Sequence, residues 1–235
     1  MAPTLPFPTK SGELPERPPL WGRDDAIRTI AAHLAAARSG ATPGPLLFAG
    51  PTGTGRLTLL NLTKELTRQS GGVAARGSTF DRAVEKAWGA LAKRDRDLAQ
   101  AVTTDAERFA VASGERVPLI RRLGELARRH ETMVTLLTAP ANTVLLGQLG
   151  AEARAARDAG DPIVLAATTG EDLASYLRTH PLANPTVVST LPLAPRDAQR
   201  FLYAGFERVR PATQPIDTPL ITEEALVLLI TASAG

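Results

Sequence analysis

Residues 45–58 read PLLFAGPTGTGRLT, and the architecture of the chain is read outward from them. The stretch opens on a short apolar run, Leu46, Leu47, Phe48 and Ala49, with Pro45 before it and Gly50 after it. That is the pattern of a buried strand. A glycine-rich turn follows, Gly50-Pro51-Thr52-Gly53-Thr54-Gly55. From Arg56 to Gln69 the apolar positions Leu57, Leu59, Leu60, Leu62 and Leu66 predict a helix. Strand, glycine-rich loop and helix in that order are the context of a phosphate-binding loop. Gly53 and Gly55 can take backbone angles that a Cβ disfavours. Successive N–H groups then point inward and cradle phosphate oxygens. The helix adds its free N–H groups and the positive end of its dipole. The plainer reading is a strand-to-helix turn that holds no ligand.

The loop resembles the Walker A motif of P-loop NTPases, and within them the AAA+ and related STAND ATPases. The family pattern is G-x4-G-K-[S/T]. Here Gly50 and Gly55 frame Pro51, Thr52, Gly53 and Thr54, and the GPTGTG hexapeptide is characteristic of AAA+ loops. Two positions depart from the pattern. Arg56 stands where the family has lysine, and Leu57 where it has the Mg²⁺-binding hydroxyl. Arginine keeps the charge, but its planar fork is not interchangeable with an ammonium. Leucine cannot ligate a metal. Thr58 is the next hydroxyl, turned about 100° further round the helix.

Composition sets wider bounds. The chain has 235 residues, 43% hydrophobic and 22% charged, as in an ordinary globular protein with a substantial α/β core. A net charge of +3 does not by itself argue for nucleic acid. Lysine occurs only at 10, 64, 86 and 93, and the other cations are arginines, a bias that offers a plain origin for Arg56. Cysteine is absent, which excludes disulfides, thiolate catalysis and cysteine zinc sites. No apolar run of membrane-spanning length is present, nor a signal-peptide core at the start, so a cytoplasmic protein is expected.

Residues 1–19 hold six prolines and are expected to form a flexible tail. Next come Trp21, Gly22 and Arg23, then a helix with Ile27, Ile30, Ala31 and Leu34 at helical spacing. Trp21-Gly22-Arg23-Asp24 resembles the box that opens many AAA+ and STAND modules. The resemblance implies that Trp21 and Gly22 line a base pocket and that Arg23 lies near the nucleotide. The alternative is that Trp21 only anchors the helix.

A weak strand at 73–77 leads into residues 79–112, helical by pattern, with the charge run at 93–97 as a solvated face. Residues 119–130 predict an amphipathic helix, with Leu119, Ile120, Leu123 and Leu126 inside and Arg121, Arg122, Arg128 and Arg129 outside. Met133 to Leu137 is a strand, and in the family its end carries the two Walker B acids. Here it runs into Thr138-Ala139-Pro140, with no carboxylate. Asn142 caps a helix at 143–159, and 163–169 form the next strand. Its place resembles the sensor 1 strand, which implies Thr168 or Thr169 near a γ-phosphate. Either threonine also suits a turn before Gly170. A short helix is expected at 171–177. Arg178 stands where the family carries an arginine finger. Residues 186–191 make the fifth strand, and Pro192 opens a passage that in the family comes close to the base.

The expected fold is α/β, a five-stranded, mainly parallel sheet sandwiched by helices. A core spans 20–210. A proline-rich linker and the first helix of a truncated lid occupy 211–235. The resemblance implies a purine nucleotide, ATP or ADP, on Thr52, Gly53, Thr54, Gly55, Arg56, Leu57 and Thr58. No residue is assigned as catalytic or as a metal ligand, and Mg²⁺ is doubtful on the residues present. The expected function is a degenerate ATPase module with little or no hydrolysis, a switch or structural part of a larger assembly. Whether the chain is an enzyme stays open. Partners would be other subunits or copies of itself, without a membrane. The rivals are a pseudo-ATPase scaffold without nucleotide and a DNA-associated AAA+ regulator.

Overall fold

The computed structural model describes residues 20, 22–41, 43–139, 143–170, 184–207, 210 and 221–233. The tail at 1–19, Trp21, Asn142, the helix expected at 171–177, Arg178 and the linker at 211–220 lie outside the described residues.

In chain order the elements are α1 (Asp24–Arg38), β1 (Leu46–Ala49), α2 (Arg56–Gln69), β2 (Val73–Gly77), α3 (Phe80–Ala92), α4 (Arg96–Ser113) and α5 (Leu119–Arg129). Then follow β3 (Val134–Thr138), α6 (Thr143–Ala159), β4 (Ile163–Thr169), β5 (Thr186–Ser189), α7 (Pro195–Glu207) and α8 (Glu223–Ser233). The chain divides into two compact units, Ala26–Thr190 and Met1–Asp25 with Leu191–Gly235. The first holds the sheet. The second holds α7 and α8, which pack on each other.

The five strands are all parallel, in the order β2-β3-β4-β1-β5. Sequence led to a mainly parallel sheet; every pair is parallel. β1 and β3 are apolar runs rather than alternating ones, because both faces of the sheet are covered. Ile163, Leu165 and Ala167 of β4 join Leu47, Val134 and Leu136 in one core with α3, α5 and α6. The alternate residues face the other layer. There the Thr67 hydroxyl of α2 meets the Thr135 hydroxyl of β3 at 2.9 Å.

Several local expectations change. Leu57, Leu62 and Leu66 are only partly buried; the inner face of α2 is Leu59, Leu60, Thr63 and Thr67. Thr63 and Thr67 are buried because their hydroxyls donate back to Leu59 O and Thr63 O, which satisfies them inside the helix. The continuous helix expected at 79–112 is two helices. Asp95 breaks it, its carboxylate accepting from the Leu98 N–H at 2.9 Å as the cap of α4. The charge run at 93–97 is largely exposed, as expected of a solvated stretch, and forms the joint between the two helices. In α1 the core position next to Leu34 is His33, while Ala31 is exposed.

His33 is 5% exposed, with Nδ1 3.1 Å from the Thr186 hydroxyl of β5. Its Nε2 is buried without a partner among the described residues. Burial lowers the imidazole pKa to about 4. An unfolded histidine titrates near 6.5. The folded state thus binds the proton more weakly, and stability present above pH 6.5 falls as pH drops toward 4. Between pH 7 and pH 5 the protein should lose about 2 kcal/mol more unfolding free energy than His33→Gln. Urea denaturation at the two pH values checks this. Equal losses would show that His33 is not held neutral.

Candidate functional site

β1 lies between β4 and β5. The chain leaves β1 for one side of the sheet and later returns to the other. In parallel α/β sheets the carboxyl ends of strands at such a reversal are where ligands bind. The loop 50–55 leaves β1 at that place. Register sets Ala49 opposite Thr169 of β4 and Ser189 of β5.

Gly53 and Gly55 both have φ of 90°, in the left-handed region. A Cβ built on either would meet no atom of the described residues within 4 Å. Gly55 is the N-cap of α2, with no side-chain cap, and the first turn carries no acid. The first N–H groups of a helix have no intrahelical acceptor. Those of Arg56, Leu57 and Thr58 therefore begin a helix that no side chain caps. Open glycines and an uncapped, positive helix end fit an anionic phosphate.

The loop is held from beside and below. Thr190 follows β5 and is fully buried. Its N–H donates to Ala49 O at 2.7 Å and its hydroxyl to the same carbonyl at 3.0 Å. The Thr54 hydroxyl lies 2.8 Å from the Thr190 hydroxyl and 2.8 Å from Pro51 O. A Cβ at Gly50 would come within 2.2 Å of Thr190 O. Gly50 thus permits a close approach of two backbones, which Thr190 then locks. Sequence reasoning missed Thr190. The signal available was a threonine one position beyond the fifth strand.

Arg56 donates from Nη1 to Thr169 O at the end of β4, and from Nη2 to the Thr52 hydroxyl at 3.3 Å. The structure thereby brings together Thr52, Thr54, Arg56 and Thr169 of the expected site residues. Thr168 and Thr169 are buried, at 3% and 4% exposure, and Thr169 meets Arg56 through its carbonyl rather than its hydroxyl. Leu57 and Thr58 are partly buried in the first turn of α2.

Gly22, Arg23 and Pro192 belong to the other unit. Arg23 donates from Nη2 to Leu191 O at 2.7 Å. Burial lowers its pKa, while the nearby Asp197 carboxylate opposes the shift. A Cβ at Gly22 would lie 2.6 Å from Asp197 Oδ2. Pro192 is exposed.

The described residues around the loop do not fit Mg²⁺. Leu57 offers no oxygen, and the ends of β3 and β4 offer threonines where a cation needs carboxylates. Thr138 ends β3 fully buried, and its hydroxyl has no partner among the described residues. Among those residues no three His, Asp or Glu side chains gather as metal ligands. Nor is any helix among them long and apolar enough to cross a membrane.

No protein-family model matches the chain, and no curated protein matches it. Among solved structures the chain is similar to a chain of the E. coli MS115-1 HORMA:CdnC:Trip13 complex, with 12% identity and a TM-score of 0.50. The match covers 90% of this chain and 72% of that one. The Aeropyrum pernix ORC1 protein in complex with DNA matches at 18% identity and a TM-score of 0.46, over 90% of this chain and 55% of that one. The first likeness shows a shared fold and nothing finer.

Gly50→Ala should destabilise the protein by about 2 kcal/mol or more, because the added methyl meets backbone rather than a movable side chain. Thr190→Val should cost about 1 kcal/mol through the lost hydroxyl bonds. Chemical denaturation measures both. A neutral Gly50→Ala would mean that the loop does not pack on β5 as described.

Proposed function

We propose that this chain is an AAA+-like module that binds a purine nucleotide, ATP or ADP, without Mg²⁺ and with little or no hydrolysis. The observation that supports this best is the pairing of an open, uncapped phosphate loop with an arginine at its helix start. Arg56 reaches both Thr52 on the loop and Thr169 on β4. It is the one cation of the loop, and its five donors leave capacity for phosphate oxygens. The backbone at 52–58 would hold the phosphates. Hydrolysis by this fold class needs a metal held by carboxylates and an oriented water. With threonines at the ends of β3 and β4, these residues supply neither. The nucleotide would then act by occupancy, as a switch or a structural part of an assembly with other subunits or copies of itself. In this reading 20–210 form the nucleotide core and 211–235 the linker and start of a lid. Trp21, Gly22, Arg23 and Pro192 are candidates for the base side, and Arg178 for contact with a neighbour's nucleotide.

One observation favours the rival scaffold. Arg56 already satisfies part of its fork on protein oxygens, so the loop is internally braced without a ligand. Calorimetry and thermal melting with ATP and ADP separate the two, because a ligand that binds the folded state raises Tm. Binding is expected with similar affinity in EDTA and in Mg²⁺, and about tenfold weaker in Arg56→Ala. No binding at millimolar nucleotide would favour the scaffold. Mg²⁺-dependent turnover would overturn the non-hydrolysing reading.

A further inference from the structure

α5 carries an unequal distribution of charge around one acid. Glu125 lies mid-helix, with Arg121 and Arg122 four and three positions before it and Arg128 and Arg129 three and four after it. The later pair takes the carboxylate. Arg128 Nη2 lies 2.5 Å from Glu125 Oε2 and Arg129 Nε 2.6 Å from Oε1. The same two arginines reach further acids. Arg128 Nε is 2.8 Å from Oδ1 of the buried Asp161, and Arg129 Nη2 is 3.1 Å from Asp105 Oδ2 of α4. Gly124 makes room for this, since a Cβ there would fall 2.1 Å from Asp161 Oδ2.

The earlier pair is left differently. Arg121 donates to Ala155 O of α6 at 3.0 Å, with Glu152 and Asp161 within electrostatic reach. Arg122 has no carboxylate partner among the described residues, and its Nε is buried without a hydrogen bond. A buried guanidinium N–H without an acceptor is costly. The helix worsens the imbalance. α5 starts after Pro118 with no side-chain cap and no acid in its first turn, so its positive end faces two arginines. All four arginines, with Val117 beside the helix start, line one cleft of about 250 Å³. A water takes about 30 Å³, so a group several times larger fits.

We propose that this cleft binds a phosphate-sized oxyanion between the forks of Arg121 and Arg122. Planar guanidinium forks match tetrahedral phosphate oxygens, and both arginines stand in the first turn of α5, at its positive end. Asp105, Glu125 and Asp161 line the same cleft, and their ion pairs are with Arg128 and Arg129, so the forks of Arg121 and Arg122 carry the anion. The site is separate from the nucleotide loop. Asp161 precedes β4 at the amino end of the parallel strands, whereas the loop leaves the carboxyl end of β1.

The test titrates the full chain with inorganic phosphate and, in parallel, glycerol phosphate at constant ionic strength, since chloride also screens arginines. Tm and the ¹⁵N resonance of Arg122 Nε are followed. The expected result is a saturable rise in Tm and a shift of that resonance, both kept in Arg56→Ala, with the rise in Tm lost in Arg122→Gln. Binding of either probe supports the site, and the tighter one identifies free phosphate or a small phosphoester. Should Arg122→Gln not fold, Arg122→Lys decides, with affinity about tenfold lower. An unchanged affinity in the Arg122 variant, a rise matched by chloride, or no binding at tens of millimolar phosphate would overturn the proposal.

Discussion

The contact between Gly50 and Thr190 is the constraint on which the loop 50–55 rests. Two parallel strands end side by side, and the chain leaving β1 must turn over the chain leaving β5. A side chain at 50 would push the two backbones apart, because a Cβ would meet Thr190 O at 2.2 Å. Glycine lets them touch, and the Thr190 N–H and hydroxyl then pin Ala49 O while Thr54 closes the loop above. Few of these bonds use groups that a ligand would need. Within the loop the Thr54 N–H turns back to Pro51 O, and the rest of the bracing falls on the Thr190 N–H, carbonyls and hydroxyls.

Arg56 follows from that arrangement. A lysine at the start of α2 would offer one ammonium to a phosphate. The arginine fork is wide enough to span from Thr52 on the loop to the carbonyl that ends β4. It does by charge and geometry part of what a bridging cation would do between loop and sheet. Leu57 next to it and Thr138 at the end of β3 offer no carboxylate beside the loop. The same preference for arginine forks recurs on α5, where Arg128 and Arg129 each hold two carboxylates and Arg122 holds none.

Buried polar groups mark where the two helix layers meet the sheet. Thr67 and Thr135 face each other between α2 and β3, and His33 meets Thr186 between α1 and β5. Each pair is small enough to satisfy most of its polar atoms locally, which lets it sit in a core otherwise built of Leu, Ile, Val and Ala. The His33 Nε2 is the exception, and its cost is what ties the stability of the α1 layer to pH.

Sequence alone determined the alternation of strand and helix, the glycine loop and its place after the first strand. Periodicity and the short reach of turn chemistry are local properties, so they survive without coordinates. That residue 57 carries no hydroxyl and residues 138–139 no acid was equally legible, because residue identity is read directly from the chain. The inner face of α2 was not, since Leu57, Leu62 and Leu66 match a helical stripe as well as Thr63 and Thr67 do. Only packing against β3 chose between them. The break at Asp95 was hidden in a run of mixed charge until its cap bond fixed it. The bond from Arg56 to Thr169 O and the clasp of Thr190 on the end of β1 join residues more than a hundred positions apart. Strand order decides those contacts, and strand order is set by which faces bury together in three dimensions, a property that no local pattern carries.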